Sequence, residues 1–258
     1  MFKDLYNYRE LLKTNVKKDI RGKYKASVLG VLWSFINPLL QVLVYALVFP
    51  YLLRSTGDDY IMYLVTGIIP WTYFQTVLGS CVSCVKNNSG IIKKVYFPKI
   101  ILPVSSMLSG FINFMISCVI ILAFSLIWRT GISWHIILVP LIAVVEGLFV
   151  LGIGLIGGAF DAYLQDLEYI IAFLTQLLFY GTPIVYELST FSGSHNLIVR
   201  LIQHNPLTII MNSYRDVFLY HQVPDMKALG IVSVISVVGV VIGYVIFKKL
   251  EKGFAEQF

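Results

Sequence analysis

Long apolar stretches separated by short charged segments dominate the chain. Measured between flanking charges, they predict membrane-spanning helices at about residues 28–53, 60–85, 100–128, 134–160, 168–187 and 228–247. A helix needs about 20 apolar residues to cross roughly 30 Å of hydrocarbon, and each stretch is about that long. The sequence therefore predicts an all-α integral membrane protein with six transmembrane helices.

Residues 1–25 form a separate segment before the first span. Apolar side chains recur there at spacings of seven and four, with lysines between them, at Leu5, Leu12, Val16, Ile20 and Tyr24. This spacing predicts an amphipathic helix that lies in the membrane interface. The segment is charged throughout and lacks the compact apolar core of a cleaved signal peptide. We therefore expect the N-terminus to stay in the cytoplasm.

The rest of the chain, residues 26–258, reads as one six-helix membrane domain. Residues 86–99 connect the second and third spans through a short basic segment, and residues 188–227 connect the fifth and sixth. The longer connection contains two apolar-rich pieces separated by Pro206, and each piece is too short to cross a bilayer. We predict short re-entrant or interfacial helices there.

The composition indicates that the chain lies in a lipid bilayer, and the distribution of its basic residues predicts its orientation there. Of 258 residues, 57% are hydrophobic and 13% charged, and the mean hydropathy is +0.78, whereas soluble domains are about 45–50% apolar. Fifteen Lys and Arg residues fall on the side of the termini and five on the other, which predicts a multi-pass cytoplasmic membrane protein with both termini inside. The net charge of +6 sits beside membrane boundaries, so we expect contact with anionic lipid and none with nucleic acid.

Two stripes of aromatic and amide side chains run along predicted spans at helical spacing. They comprise Trp33, Asn37, Gln41 and Tyr45 in the first span, and Tyr169, Phe173, Gln176 and Tyr180 in the fifth. Aromatic rings can stack on the apolar faces of sugars while amides bind sugar hydroxyls, so the stripes are candidates for a glycan path. Alternatively, the amides join neighbouring helices, and Trp33 and Tyr169 anchor the chain at the membrane interface.

Glu146 is the one acidic residue well inside a predicted span. A charged side chain at the bilayer centre costs roughly 2.5–3.5 kcal/mol, so we expect Glu146 to face protein or water. Two roles are open: proton relay in a secondary transporter, or packing and gating. Proton-driven transporters usually carry several such groups and discontinuous helices in matched halves, which favours packing or gating.

Enzymatic and cofactor-binding patterns are missing from the sequence. Cys81 and Cys84 have no second pair or nearby His to complete a metal site, and the four histidines follow no ligand spacing. No paired carboxylates indicate a membrane-bound glycosyltransferase or acyltransferase, and no phosphate-binding G-x-x-x-x-G-K-[ST] loop occurs. We expect a transport subunit that binds no cofactor itself, with ATP and Mg bound by a partner ATPase if transport is ATP-driven.

The basic segment after the second span is the best candidate for docking such a partner. It is short, on the cytoplasmic side and tipped by aromatic residues, and its candidate coupling residues are Ile91, Lys93, Lys94, Val95, Tyr96 and Phe97. The alternative is an ordinary positive-inside loop that rests on lipid headgroups.

Several motifs, in order along nearly the whole chain, resemble a known family. They are KDIRGKYKASVLGVLW at 18–33, NPLL at 37–40, GIIPW at 67–71, KKVYFPKIILPVSS at 93–106, PIVY at 183–186, NPLTIIMNSYR at 205–215 and EKGFAE at 251–256. This ordered set resembles the permease subunits of type-two ABC exporters for O-antigen, capsule and teichoic acid.

The resemblance implies how the protein assembles and moves its substrate. Two copies of the permease would pair with two copies of a cytoplasmic ABC ATPase and enclose an aromatic-lined channel for a polyprenyl-linked glycan. Residues 91–98 would contain the coupling helix, and the external gate would include Pro183, Tyr186, Asn205, Pro206, Tyr214 and Arg215.

Export of a lipid-linked polysaccharide is therefore the expected function. The nearest alternative is an ABC exporter of a drug or simple lipid, which uses the same machinery on another substrate. A different alternative is an ATP-independent secondary transporter that relies on Glu146.

Overall fold

The structure is a computed structural model that describes residues 1–22, 33–53, 59–164, 166–188 and 197–257. Parts of three predicted segments lie outside these ranges: residues 23–25 of the N-terminal segment, 28–32 of the first span and 189–196 of the external connection. The described residues form helices, turns and no strand, which confirms the all-α prediction for them. Their α-helices are α1 (Phe2–Asn7), α2 (Arg9–Gly22), α3 (Trp33–Leu53), α4 (Tyr60–Val82), α5 (Cys84–Asn87), α6 (Ser89–Ile92), α7 (Ile101–Ile127), α8 (Val139–Asp161), α9 (Leu167–Tyr180), α10 (Leu197–Gln203), α11 (Pro206–Phe218) and α12 (Met226–Leu250).

Four helical stretches in the described part of the chain are long and apolar enough to cross a membrane. They are Tyr60–Val82, Ile101–Ile127, Trp134–Asp161 and Met226–Phe254, and two shorter apolar helices accompany them at Ile36–Phe49 and Leu167–Tyr180. The chain is thus a multi-pass membrane protein, and the count of six spans stays a prediction.

Helix α9 ends at Tyr180, before the predicted boundary of the fifth span at residue 187. Gly181 caps the helix, and the next residues form turns around Pro183, which lacks a backbone N–H for a helical hydrogen bond.

Close backbone contact joins α8 to α12. A Cβ atom added to Gly152 would lie 2.8 Å from the carbonyl carbon of Gly239, and one added to Gly243 would lie 2.7 Å from the Gly152 oxygen. Membrane helices gain packing contacts where small residues let their backbones approach in this way. The pair forms one side of the helical core.

Helix α4 lies at the centre of the core and packs against α3, α7, α8, α9 and α11. Its Tyr73 ring stacks on Phe114 of α7 at 4.9 Å between centroids, and its Trp71 ring contacts Phe179 of α9 at 5.6 Å. These contacts place α7 and α9 on different sides of α4. Because α4 is mostly buried, the helices packed around it form most of the outer surface of the described core.

Both ends of the described chain lie at one end of the helical core. The amino group of Met1 donates a hydrogen bond to Tyr244 Oη at 2.8 Å, near the end of α12. The backbone N–H of Lys99 donates to Glu251 Oε1 at 2.7 Å, which places the segment before α7 at this end too. We call this end the terminal face, and the other end the opposite face.

Candidate functional site

The candidate docking segment projects from the terminal face. Tyr96 is 89% exposed, and Ile91, Val95 and both lysines between them are exposed as well. Phe97 differs, because it is buried in the hydrophobic core at 4% exposure. Of the two neighbouring aromatic residues, Tyr96 is therefore available to a partner, while Phe97 anchors the segment to the protein.

An ion pair links this region to the start of α9. Lys86 Nζ in α5 donates a hydrogen bond to Glu168 Oε1 at 2.7 Å. This hydrogen bond raises the pKa of Lys86 above its ordinary value. The backbone N–H of Glu168 in turn donates to the buried Asp161 Oδ1 at 3.2 Å, at the end of α8. These hydrogen bonds connect α5, which precedes the docking segment, and the end of α8 to the first turn of α9.

The α9 stripe lies on the outside of the protomer. Tyr169, Phe173 and Tyr180 are 69%, 61% and 59% exposed, and Gln176 is exposed beside them. Helix α9 packs against the core mainly through a narrow row made of Ile171, Thr175 and Phe179. The stripe is therefore free to contact substrate, lipid or another chain.

The α3 stripe is divided between exposure and packing. Trp33, Asn37 and Gln41 are exposed, whereas Tyr45 is half-buried and contacts Phe179 of α9 at 5.7 Å between ring centroids. The structure thus brings α3 and α9 together at this contact, and the rest of the α3 stripe faces outward.

Sequence reasoning missed a cleft beside the α3 stripe that has several polar side chains in its wall. Trp33 and Asn37 line a cleft of about 340 Å³ together with Thr72 of α4 and with Asn113 and Ser117 of α7. Asn113 and Ser117 are four residues apart on an apolar span, so their shared face was a detectable signal.

Arg215 is the centre of the predicted gate region. Its side chain is 1% exposed, and its guanidinium lies 3.6 Å from the centroid of the Tyr63 ring. It donates hydrogen bonds to the Ile184 carbonyl oxygen at 3.1 Å and to Asn212 Oδ1 at 3.2 Å. Arg215 therefore joins α11, the start of α4 and the turns after α9.

Two tyrosines hold the same turns: Tyr186, which belongs to the predicted gate, and Tyr63 of α4, which sequence reasoning did not single out. Tyr63 Oη donates to the carbonyl oxygens of Pro183 at 3.1 Å and Tyr186 at 2.8 Å. Tyr186 Oη donates to the Tyr180 carbonyl oxygen at 2.8 Å, at the end of α9. The turns are thereby fixed to both α4 and α9.

Asn205 and Pro206 begin α11 and attach it to the turns. Asn205 Oδ1 accepts a hydrogen bond from the Leu207 N–H at 3.0 Å, while its Nδ2 donates to the Gly181 carbonyl oxygen and to Thr182 Oγ1, both at 3.3 Å. Pro206 occupies the first turn, where a missing N–H does no harm. This cap fixes where α11 starts.

Glu146 faces protein and is fully buried. Its Oε2 accepts a hydrogen bond from Tyr214 Oη at 2.8 Å, and its Oε1 has no partner within the described residues. Glu146 therefore connects α8 to α11 at Tyr214, the residue that precedes Arg215. The contact gives Glu146 a packing role between these two helices.

Metal ligands are not grouped in the part of the chain that the structure describes. Its His, Cys, Asp and Glu residues form no cluster of three that could hold a metal ion. Cys81, Cys84 and Cys118 are buried free thiols.

Comparison with known proteins shows similarity along the chain. The family described as ABC-2 type transporter matches residues 10–219. The O-antigen export system permease protein RfbA of Myxococcus xanthus is 31% identical over 259 residues, covering 100% of this chain and 98% of the relative. A protein of the same name from Klebsiella pneumoniae is 31% identical over 96% of this chain and 94% of its own length. The polysialic acid transport protein KpsM of Escherichia coli is 20% identical, with 91% coverage of each chain.

Proposed function

Because this chain belongs to the ABC-2 type transporter family, we propose that it is the membrane subunit of an ATP-driven exporter of lipid-linked polysaccharide. The observation that carries the proposal is the end-to-end similarity to a permease named for O-antigen export, at 31% identity. Similarity to a polysialic acid transport protein supports the same substrate class. The O-antigen, capsule and teichoic acid types all fit this class.

In the proposed assembly, two copies of the chain pair with two copies of a cytoplasmic ABC ATPase in the cytoplasmic membrane. Each copy has six transmembrane helices, with α3 and α9 completing the set, and both termini in the cytoplasm. Helix α2 lies in the interface with lipid. ATP and Mg are bound by the ATPase, and this chain binds no cofactor.

The proposed mechanism couples the docking segment to the glycan path. ATP binding moves the ATPase against the exposed Tyr96, and the buried Phe97 transmits the displacement to the core. The Lys86–Glu168 ion pair carries it to α9, whose aromatic stripe lines the channel with the α3 stripe of the same copy. The gate region around Arg215 opens at the opposite face, and repeated cycles move the glycan outward.

Tyr96→Ala is expected to weaken the ATPase complex without unfolding the permease. An aromatic residue at the centre of an interface contributes about 2 kcal/mol, so affinity should fall roughly thirtyfold. Affinity of the purified permease for the ATPase measures this. The matched control is Tyr6→Ala, which removes another exposed tyrosine near the terminal face. Equal losses in both variants would rule out a specific docking role for Tyr96.

Glu146→Gln is expected to retain ATP-driven export. Glutamine keeps the size of the side chain and an acceptor for Tyr214 Oη, so we expect a stability loss of about 1 kcal/mol or less. Export measured with and without a proton gradient tests this. Loss of export in Glu146→Gln, together with dependence on the gradient, would support the secondary transporter instead.

A tagged copy of the chain, purified in mild detergent, tests the assembly. Recovery of an ABC ATPase in equal amount is the expected result, and recovery of the folded chain alone would contradict the proposal. An ATPase would also be recovered if the chain were part of an exporter of a drug or simple lipid. Glycosyltransferase genes beside the coding region distinguish the polysaccharide exporter from it.

A further inference from the structure

A cavity with both polar and apolar lining residues lies at the opposite face, between α4, the turns after α9, α10, α11 and the start of α12. Its volume is about 580 Å³, within the range of about 300–1,000 Å³ that small-ligand sites occupy. It is separate from the stripes on α3 and α9, because none of the eight stripe residues lines it.

The charges of the cavity wall restrict the class of ligand. Glu187, Asp216 and Asp225 line it, and Arg215 is the one Lys or Arg residue among the lining residues of the described chain. An excess of carboxylates repels phosphates and other anions. The same carboxylates are strong acceptors for hydroxyl groups. The wall therefore suits an uncharged polyhydroxyl molecule.

Arg215 is one of the residues that line this cavity. The hydrogen bonds to Ile184 and Asn212, and the contact with the Tyr63 ring, fix its orientation. Its Nε has no hydrogen-bond partner within the described residues, although the side chain is 1% exposed. The charged side chain is therefore held in a fixed position at the cavity wall.

Tyr220 supplies an aromatic surface at the edge of the same cavity. It is 53% exposed, and its backbone N–H donates to the Arg215 carbonyl oxygen at 2.9 Å, which holds it beside the cavity. A half-exposed ring beside carboxylates and a guanidinium offers a sugar both stacking and hydrogen bonds.

We propose that this cavity is an outer saccharide site, which binds an uncharged sugar unit of the glycan as it leaves the protein. The proposal rests on the proposed function, since the glycan is the substrate that would reach this face. Binding there opposes backward movement of the chain between ATP cycles.

Photocrosslinking in cells tests the site and the function separately. The photoreactive residue p-benzoylphenylalanine replaces Tyr220 at the cavity, Phe173 on the α9 stripe, or Trp134, which is 72% exposed but does not line the cavity. The probe is the cells' own lipid-linked glycan, and adducts are detected with an antiserum against it. Adducts at positions 173 and 220, with none at 134, are the expected result.

The other outcomes separate the two claims. An adduct at position 173 alone overturns the outer site and leaves the proposed function standing. Equal adducts at 220 and 134 also overturn the site, because they report passage of the chain through the region. The absence of adducts at both 173 and 220 contradicts the proposed function itself.

Binding of free oligosaccharide gives a second readout. The probe is the lipid-free oligosaccharide released from the cells' own glycan by mild acid, titrated into the ATPase complex in nanodiscs without ATP. Tyr220→Ala and Asp216→Asn should each weaken binding about three- to tenfold, while Trp134→Ala should not change it. Unchanged affinity in both cavity variants, or equally tight binding of inorganic phosphate, would overturn the proposal.

Discussion

Replacing Tyr169, Phe173 and Tyr180 together with alanine is expected to abolish most export. Each ring that stacks on a sugar contributes about 1 kcal/mol, so three rings correspond to a loss on the order of 100-fold in transport rate. The protein should still fold, because all three side chains are more than half exposed and the packing row of α9 is untouched. Surface glycan, measured against the amount of assembled complex, reports the effect.

The same helix provides the control for the aromatic variant. Leu174→Ala and Leu177→Ala remove side chains that are 48% and 53% exposed on α9 but are not aromatic. We expect these variants to export at close to the normal rate. If the aromatic and leucine variants lost export equally, α9 would serve through its apolar contacts with lipid or a second chain, and the glycan path would lie elsewhere.

Arg215→Ala is expected to destabilise the protein and to disorder the gate region. The change removes the hydrogen bonds to Ile184 and Asn212 and the contact with the Tyr63 ring, all in a buried setting. Hydrogen bonds from a charged donor contribute about 1.5–3 kcal/mol each, and we expect a total loss of about 3 kcal/mol. Thermal unfolding of the purified protein in detergent measures the loss.

Two comparison variants make the Arg215 experiment specific. Arg215→Lys keeps the charge but not the planar group, so it should fall between wild type and Arg215→Ala. Arg200→Ala removes an exposed arginine from α10 and should change stability by less than about 0.5 kcal/mol. A stable Arg215→Ala protein would show that the turns after α9 are held by other contacts.

The sequence predicted the helical class because uninterrupted apolar length is a local property. The stretches ending near Val82 and Ile127 could be bounded within a few residues by their flanking polar groups. The end of α9 was harder to place, since no charged residue interrupts the chain between Tyr180 and Glu187 and the apolar Ile184 and Val185 lie in between. Only Gly181 and Pro183 indicated the break, and membrane helices often contain both residue types.

The candidate site depended on contacts that are remote in sequence. In the structure Tyr96 is exposed and Phe97 is buried. The sequence could not distinguish the two, because the segment has no regular periodicity that separates an exposed face from a buried one. Glu146 could be expected to face protein or water, and the structure pairs it with Tyr214, which is 68 positions away. The cavity around Arg215 combines residues from α4, the turns after α9, α10, α11 and α12, so no local pattern could indicate it.

Export by the reconstituted complex tests the central claim most directly. The permease and its ATPase would be placed in vesicles with lipid-linked glycan from the source cells, and glycan crossing the membrane would be measured by its accessibility to a glycosidase added on the far side. Our account predicts crossing that requires both ATP and an ATPase competent in hydrolysis. Glycan that stays on its original side, while ATP drives a simple lipid or drug across the same vesicles, would contradict it.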